Sequence, residues 1–244
     1  MTPYVAVMTP GLGALIGRGA SSEVYSWTAS TVIKLFVPSF ASLAAVEFER
    51  TGAIHAAGAP CPAVHGMVEI DGRPGIVFDR LAGPPLIAER GSAVTLAHLH
   101  AELHDLPSPD LPQIADTLAS MGVGGMDAGR SLFHGDLHPA NVLRHGDRWH
   151  VIDWSNGHLA PPAADVACSV LSIGYRGLRG PGVSLDVHRR RVRAADRYLE
   201  TYRTLRPEAL HDLPMWLRTI GRLLLAQEPD TAFADELTAR WIDP

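Results

Sequence analysis

A chain of 244 residues is long enough for one large domain or for two lobes, each with a core of its own. Apolar residues make up 46% and charged residues 19%, a globular composition, and the net charge of −5 speaks against a nucleic-acid protein that works through a broad basic face. Cys61 and Cys168 stand far apart without a disulfide pattern, and neither a leader nor a run of about eighteen apolar residues is present, so a cytoplasmic protein without a membrane span is expected.

Residues 12 to 36 read as three short strands. Gly17-Arg18-Gly19-Ala20-Ser21-Ser22 separates Ala14-Leu15-Ile16 from Val24-Tyr25-Ser26-Trp27. Glycines let the backbone pass close to a phosphate, and the serine hydroxyls and exposed N–H groups can bond to it. A plain hairpin turn accounts for the same residues. The third strand, Thr31 to Phe36, carries a charge in its middle. Lys34 is the single lysine in the chain, against twenty arginines. Its place in a strand interior points to a need for a compact ammonium where a planar guanidinium would be too bulky.

A helix is expected from about Phe40 to Ala57, closed by Gly58 and Pro60. Glu47 and Glu49 are both candidates to pair with Lys34, but at helical spacing they point about 200° apart. Glu47 shares a stripe with Leu43, Thr51 and Ile54, so it is the predicted partner and Glu49 the solvated one. Strands Val64 to Ile70 and Gly75 to Phe78 flank the turn Asp71-Gly72-Arg73-Pro74. The segment Asp79-Arg80-Leu81-Ala82-Gly83 then leaves this first group of strands.

Ser92 can cap a helix in which Leu96, Leu99 and Leu103 recur at helical spacing. His98 and His100 do not face one another, and His100 with His104 would offer only two metal ligands, so these histidines are expected in solvent or at the edge of the core. A short helix over Pro112 to Met121 and a Gly-rich turn over Gly122 to Gly129 follow. Beyond residue 184 the chain reads as helical to residue 242. Arg189, Arg190, Arg191, Arg193 and Arg197 are expected on a solvated face, and Tyr198, Leu199, Tyr202, Trp216, Ile220, Leu223 and Leu224 in core stripes.

The stretch HGDLHPANVLRHGDRWHVID, His134 to Asp153, organises the rest. Two apolar strands around the turn His145 to Arg148 form a hairpin that folds Asp136 and Asn141 back beside Asp153. Two acids and an amide so gathered can hold a hard divalent cation through oxygen and leave one carboxylate to accept a proton. That is equipment for moving a phosphoryl group from a nucleotide to a hydroxyl.

His134-Gly135-Asp136 with Asn141 five residues on, then Ile152-Asp153-Trp154, resembles the catalytic loop and metal-binding segment of the aminoglycoside phosphotransferase and choline kinase-like group, relatives of the protein kinases. The resemblance implies an α+β, bilobal protein kinase-like fold: an N-terminal nucleotide-binding lobe over residues 1–80, with an antiparallel sheet and one helix, and a mainly helical catalytic and acceptor-binding lobe over 81–244. It implies ATP, with GTP open, and Mg²⁺ as cofactors. Asp136 becomes the base, Asn141 and Asp153 the metal ligands, and Lys34 braced by Glu47 the contact to the α- and β-phosphates. Gly19, Ser21 and Ser22 would close over the phosphates, and Asp79 to Leu81 would meet the adenine through main-chain groups. His134 would brace the loop, His138 would brace it or line the cleft, and Asp165 would serve as a structural aspartate. Acids near the end, Asp235, Glu236 and Asp243, could meet an amine-bearing acceptor.

The expected reaction is transfer to a small hydroxyl compound such as an antibiotic, an amino sugar or a related metabolite, with no nucleic acid or membrane as partner. A nucleotide-binding regulatory module without turnover is the alternative. A protein kinase is the remoter one, because Gly135 stands where protein kinases carry an arginine and Asp165 follows Asp153 by only twelve positions. The short segment from Asp105 to Phe133 also leaves little room for a large aminoglycoside site.

Overall fold

The computed structural model describes residues 11–120, 129–178 and 182–243. In chain order the elements are β1 (Leu15–Arg18), β2 (Ser22–Ser26), β3 (Thr31–Phe36), α1 (Leu43–Ala56), β4 (Val64–Ile70), β5 (Arg73–Asp79), α2 (Ser92–His104), α3 (Ile114–Ser120), β6 (Ser131–Phe133), β7 (Val142–His145), β8 (Arg148–Val151), β9 (His158–Ala160), α4 (Pro162–Gly174), α5 (Leu185–Leu205), α6 (Leu213–Gln227) and α7 (Ala234–Leu237). This is an α+β chain. It divides into two compact units: the described residues up to Pro84 with Leu143–Gly157, and Pro85–Val142 with the described residues from His158 onward. The sequence reading divided the chain after residue 80. Here the first unit runs on to Pro84 and also holds the hairpin segment.

In the first unit five antiparallel strands stand in the order β1-β2-β3-β5-β4. Alternation along β3 sends Val32, Lys34 and Phe36 to one face and Ile33 and Leu35 to the other. On the first face Phe36, Met67, Ile76 and Phe78 pack with Ala44, Leu43 and Phe48 of α1. On the second, Ile33, Leu35, Val68 and Val77 pack with Tyr25, Trp27 and Ile70. Lys34 thus lies on the side that α1 covers. The helix begins at Leu43 rather than Phe40, because Pro38 opens a separate 3-10 turn that Ala41 N–H closes onto the Pro38 carbonyl.

β7 and β8 form the predicted hairpin, with Gly146 at φ 58° in its turn. The backbone of Arg144 exchanges hydrogen bonds with Gly83 N–H (2.9 Å) and the Pro84 carbonyl (3.0 Å), and Val151 N–H donates to the Pro60 carbonyl at 2.7 Å. A Cβ at position 83 would lie 2.3 Å from the Arg144 carbonyl oxygen, so only glycine permits that approach.

In the second unit α4 is the central helix, with twelve of its thirteen residues buried. α5 and α6 pack on it, and α2 packs on α5. β6 pairs antiparallel with β9. The helix expected over Pro112 to Met121 starts at Ile114, because the Pro112 carbonyl accepts Leu159 N–H at 2.8 Å instead of opening a helix; Met121 lies outside the described residues. Of the turn expected over Gly122 to Gly129, only Gly129 lies among the described residues. Ser92 is the first residue of α2 and not its cap; Gly91, at φ 75°, precedes the helix. The run beyond residue 184 is broken where Pro207 and Pro229 lack the N–H that would carry α5 and α6 forward. No helix of the described residues is long and apolar enough to cross a membrane.

Candidate active site

In the first unit Lys34 is nearly buried, and Glu47 is 1% exposed. Nζ of Lys34 donates to Oε1 and Oε2 of Glu47 at 2.7 and 2.8 Å and to Oδ1 of Asp153 at 2.8 Å. The pairing expected from helical spacing is therefore present, and Glu49 is exposed. In the buried stripe Ala44 takes the place foreseen for Leu43, which is half-buried. Burial pushes the Glu47 carboxyl up to about 7; Lys34 pulls it back and the neighbouring Asp153 charge pushes it further. Burial opposes the charge on Lys34, but the two carboxylates outweigh it and hold the ammonium above its ordinary range.

Asp153 is a non-glycine residue in the left-handed region, at φ 67°, a conformation held only where surroundings enforce it. They do so here. Trp154 is buried with Nε1–H bonded to the Val151 carbonyl at 3.0 Å, and Arg50 of α1 donates to the Ser155 carbonyl. The Asp153 side chain remains 42% exposed.

Gly19 N–H donates to the Ser22 carbonyl at 2.9 Å and closes the β1–β2 turn. Gly19 is exposed and Ser21 half-buried, whereas Ser22 is buried at the start of β2 opposite Phe36. The carboxylate of Asp79 is occupied by His65 Nε2 (2.7 Å) and Ala63 N–H (3.3 Å), and Leu81 is half-buried beyond it.

In the second unit β6 delivers the loop that carries Asp136 and Asn141. Asp165, in the first turn of α4, accepts His134 N–H at 2.7 Å and Gly135 N–H at 2.8 Å. His134 Nδ1 accepts the Asp136 N–H at 3.2 Å, which is the bracing part foreseen for it. Asn141 Nδ2 donates to the Asp136 carbonyl at 3.0 Å, which turns the amide oxygen away from that bond. His138 Nδ1 accepts Ala140 N–H at 3.2 Å, and its Nε2 lies 3.9 Å from Oδ2 of Asp136. Two partners of Asp136 were not foreseen: Ser172 Oγ at 2.7 Å and Arg176 Nη1 at 3.0 Å, both on Oδ1.

The histidines of α2 correct the sequence reading. His98 is exposed, but His100 and His104 are buried. His100 bonds Tyr198 OH through Nδ1 (2.5 Å) and Asp165 through Nε2 (2.9 Å), and His104 Nδ1 bonds Tyr202 OH at 2.6 Å. Burial opposes ionisation of Asp165, yet His100 and the bonds from both histidines hold its carboxyl well below the ordinary range. Burial and His100 push His104 down to about 4, so it is neutral at physiological pH. The ligand atoms of His100, His104 and Asp165 lie within 4.8 Å of one another. Asp165, however, already accepts two loop amides and His100, and a tyrosine takes each Nδ1, so the group is a buried brace for the Asp136 loop.

Arg191 departs from its neighbours too. Arg189, Arg190, Arg193 and Arg197 are exposed, but Arg191 turns onto the carbonyls at the end of α4. Near the C-terminus Glu236 is paired with His188 (2.9 Å) and Asp243 with Arg222 (3.2 Å), while Asp235 is exposed.

Residues 113–211, which include Asp136, Asn141, Asp153 and Asp165, match the model of a phosphotransferase enzyme family. Over that segment the chain is similar to the phosphotransferase enzyme family. No curated protein matches it. Solved phosphotransferase structures share its fold. A thermostable mutant of aminoglycoside phosphotransferase APH(4)-Ia has a TM-score of 0.65 at 14% identity, covering 96% of this chain and 94% of that one. An aminoglycoside-3'-phosphotransferase of type VIII has a TM-score of 0.51 at 18% identity, over 80% of this chain and 93% of that one. A chain described as a fructosamine-3-kinase, from Haemophilus somnus 129PT, has a TM-score of 0.57 at 14% identity, over 94% and 89%. The kinase-like α+β fold expected from the sequence is the fold these phosphotransferases have.

Proposed function

We propose that the protein is an ATP-dependent phosphotransferase that moves the γ-phosphoryl group to a hydroxyl of a small molecule. The observation that carries this reading is the buried Lys34 ammonium shared by Glu47 and Asp153, in a chain whose catalytic segment matches a phosphotransferase family. A related phosphotransferase was crystallised with ADP and hygromycin B, which supports a nucleotide donor and a small hydroxyl acceptor such as an antibiotic, an amino sugar or a related metabolite. Two buried thiols, Cys61 pushed up to about 12 by burial and Cys168 pushed well above its ordinary value by the same cause, are inert groups that suit a reducing cytoplasm.

In this reading Lys34 binds the α- and β-phosphates, and Glu47 keeps the ammonium aimed and charged. Gly19 and Ser21 offer turn groups to the phosphates, and the main chain of Asp79 to Leu81 meets the base. Asp153 and Asn141 fit Mg²⁺: both offer hard oxygen, the first on a carboxylate that is partly exposed and the second on an amide whose nitrogen is already committed. Held by these residues, Mg²⁺ would supply neutralisation of charge on the phosphates. Asp136 orients the acceptor hydroxyl and takes its proton. Catalysis then rests on positioning and preorganised charge.

The test is incubation with MgATP and a panel of amino sugars, macrolides, choline-like alcohols and hydroxy amino acids, read by mass spectrometry. An acceptor that gains one phosphate only when MgATP and the enzyme are present supports the reading. Nucleotide binding with neither a phosphorylated acceptor nor ADP formation would point instead to a regulatory module.

A further inference from the structure

Among the described residues the close partners of the Asp136 carboxylate sit on one oxygen, while Nε2 of His138 stands 3.9 Å from the other. Ser172 Oγ donates to Oδ1 at 2.7 Å and Arg176 Nη1 lies 3.0 Å from the same atom. Ser172 stands in the last turn of α4 and Arg176 two residues beyond the helix, and their backbone is clamped. Arg191 donates to the carbonyls of Ile173 (2.6 Å), Ser172 (2.6 Å) and Arg176 (2.9 Å). Gly177, at φ 73°, turns the chain immediately after Arg176 and gives its N–H to Oε2 of Glu228 at 3.1 Å. The other oxygen of Glu228, a buried residue, lies 3.8 Å from Nε of Arg176. Arg176 is thus fixed through its main chain on one side and through its side chain on the other.

We propose that Ser172 and Arg176 are positioning residues for phosphoryl transfer, which by occupying Oδ1 set the rotation of the Asp136 carboxylate and leave Oδ2 as the atom that takes the acceptor's proton. The torsion between a carboxylate and its stem is broad, so an ungripped Asp136 would sample many orientations. A hydrogen bond from Ser172 and the guanidinium of Arg176 against the same oxygen narrow that range. The acceptor hydroxyl then meets a preset lone pair. Its oxygen forms the bond to the γ-phosphorus, and the bond from that phosphorus to the bridging oxygen breaks with the electron pair leaving on ADP. The proton rests on Oδ2 until it passes to water.

This inference depends on the phosphotransfer reading, and its test separates the two. Arg176→Ala, Arg176→Lys and Ser172→Ala in the full chain would be assayed with MgATP and the best acceptor of the panel, beside Asp136→Asn. Arg176→Ala and Ser172→Ala should each lower kcat by about tenfold or more, with the nucleotide KM within about threefold of wild type, the pattern of a misplaced reacting group. Arg176→Lys should recover part of the loss, and millimolar methylguanidinium should raise the rate of Arg176→Ala but not of Ser172→Ala. A wild-type kcat in either alanine variant, or an Arg176→Ala loss restored by neither lysine nor methylguanidinium, would overturn the assignment. Ser172→Ala removes a single oxygen, so its kcat decides the matter even if Arg176→Ala folds poorly. If the wild type phosphorylates nothing, the phosphotransfer reading itself fails and this inference falls with it.

Discussion

The ammonium of Lys34 lies 2.7 and 2.8 Å from the two oxygens of Glu47, a bidentate pair between β3 and α1 in a nearly dry setting. Removing one member of a buried pair leaves the other charge without its main partner. Glu47→Ala should therefore lower the unfolding free energy by about 3 kcal/mol, toward the lower end for a broken buried pair because Asp153 remains beside Lys34. Urea unfolding of the variant against wild type measures this.

Lys34→Arg keeps the charge but spreads it over a planar fork that cannot take the place of a compact ammonium between two carboxylates. MgADP affinity should fall by about tenfold, the scale of one charge-assisted hydrogen bond, as read by titration calorimetry. An unchanged affinity would separate Lys34 from the nucleotide.

The buried His104 makes stability depend on pH. Its folded value of about 4 lies below the ordinary 6.5, so between those two pH values the unfolded chain binds the extra proton. Stability contributed by His104 is present above pH 6.5 and is lost as pH falls toward 4, by up to roughly 3 kcal/mol. Glu47, raised to about 7 from 4.5, acts in the opposite sense across an overlapping window. The difference between wild type and His104→Gln cancels that contribution. Urea unfolding at stepped pH should show a shallower decline on acidification for His104→Gln than for wild type.

The Lys34–Glu47 pair was legible because both its signals are local: one lysine in an alternating strand, and one glutamate on the inward stripe of a helix. The β7–β8 hairpin was legible for the same reason, from two short apolar strands and a turn. The buried group around Asp165 was not. His100 and His104 owe their burial to Tyr198 and Tyr202 of α5, almost a hundred positions away, and a pattern within α2 cannot reveal a partner helix. Ser172 and Arg176 left a faint trace: they follow Asp165 at seven and eleven positions, so all three share one face of α4 and its immediate extension. A structural aspartate under the catalytic loop implies that the same face runs beneath Asp136. Arg191 had no such trace, since its sequence neighbours are exposed arginines.

The most direct measurement of the central claim is a single-turnover assay with γ-labelled ATP, Mg²⁺ and the acceptor found in the panel, comparing wild type with Asp136→Asn. We expect label on the acceptor's hydroxyl with wild type, and transfer slower by at least ~10² with Asp136→Asn at nearly unchanged nucleotide affinity. Equal transfer rates in the two proteins would contradict Asp136 as the base, and label that never leaves ATP in the wild type would contradict phosphotransfer altogether.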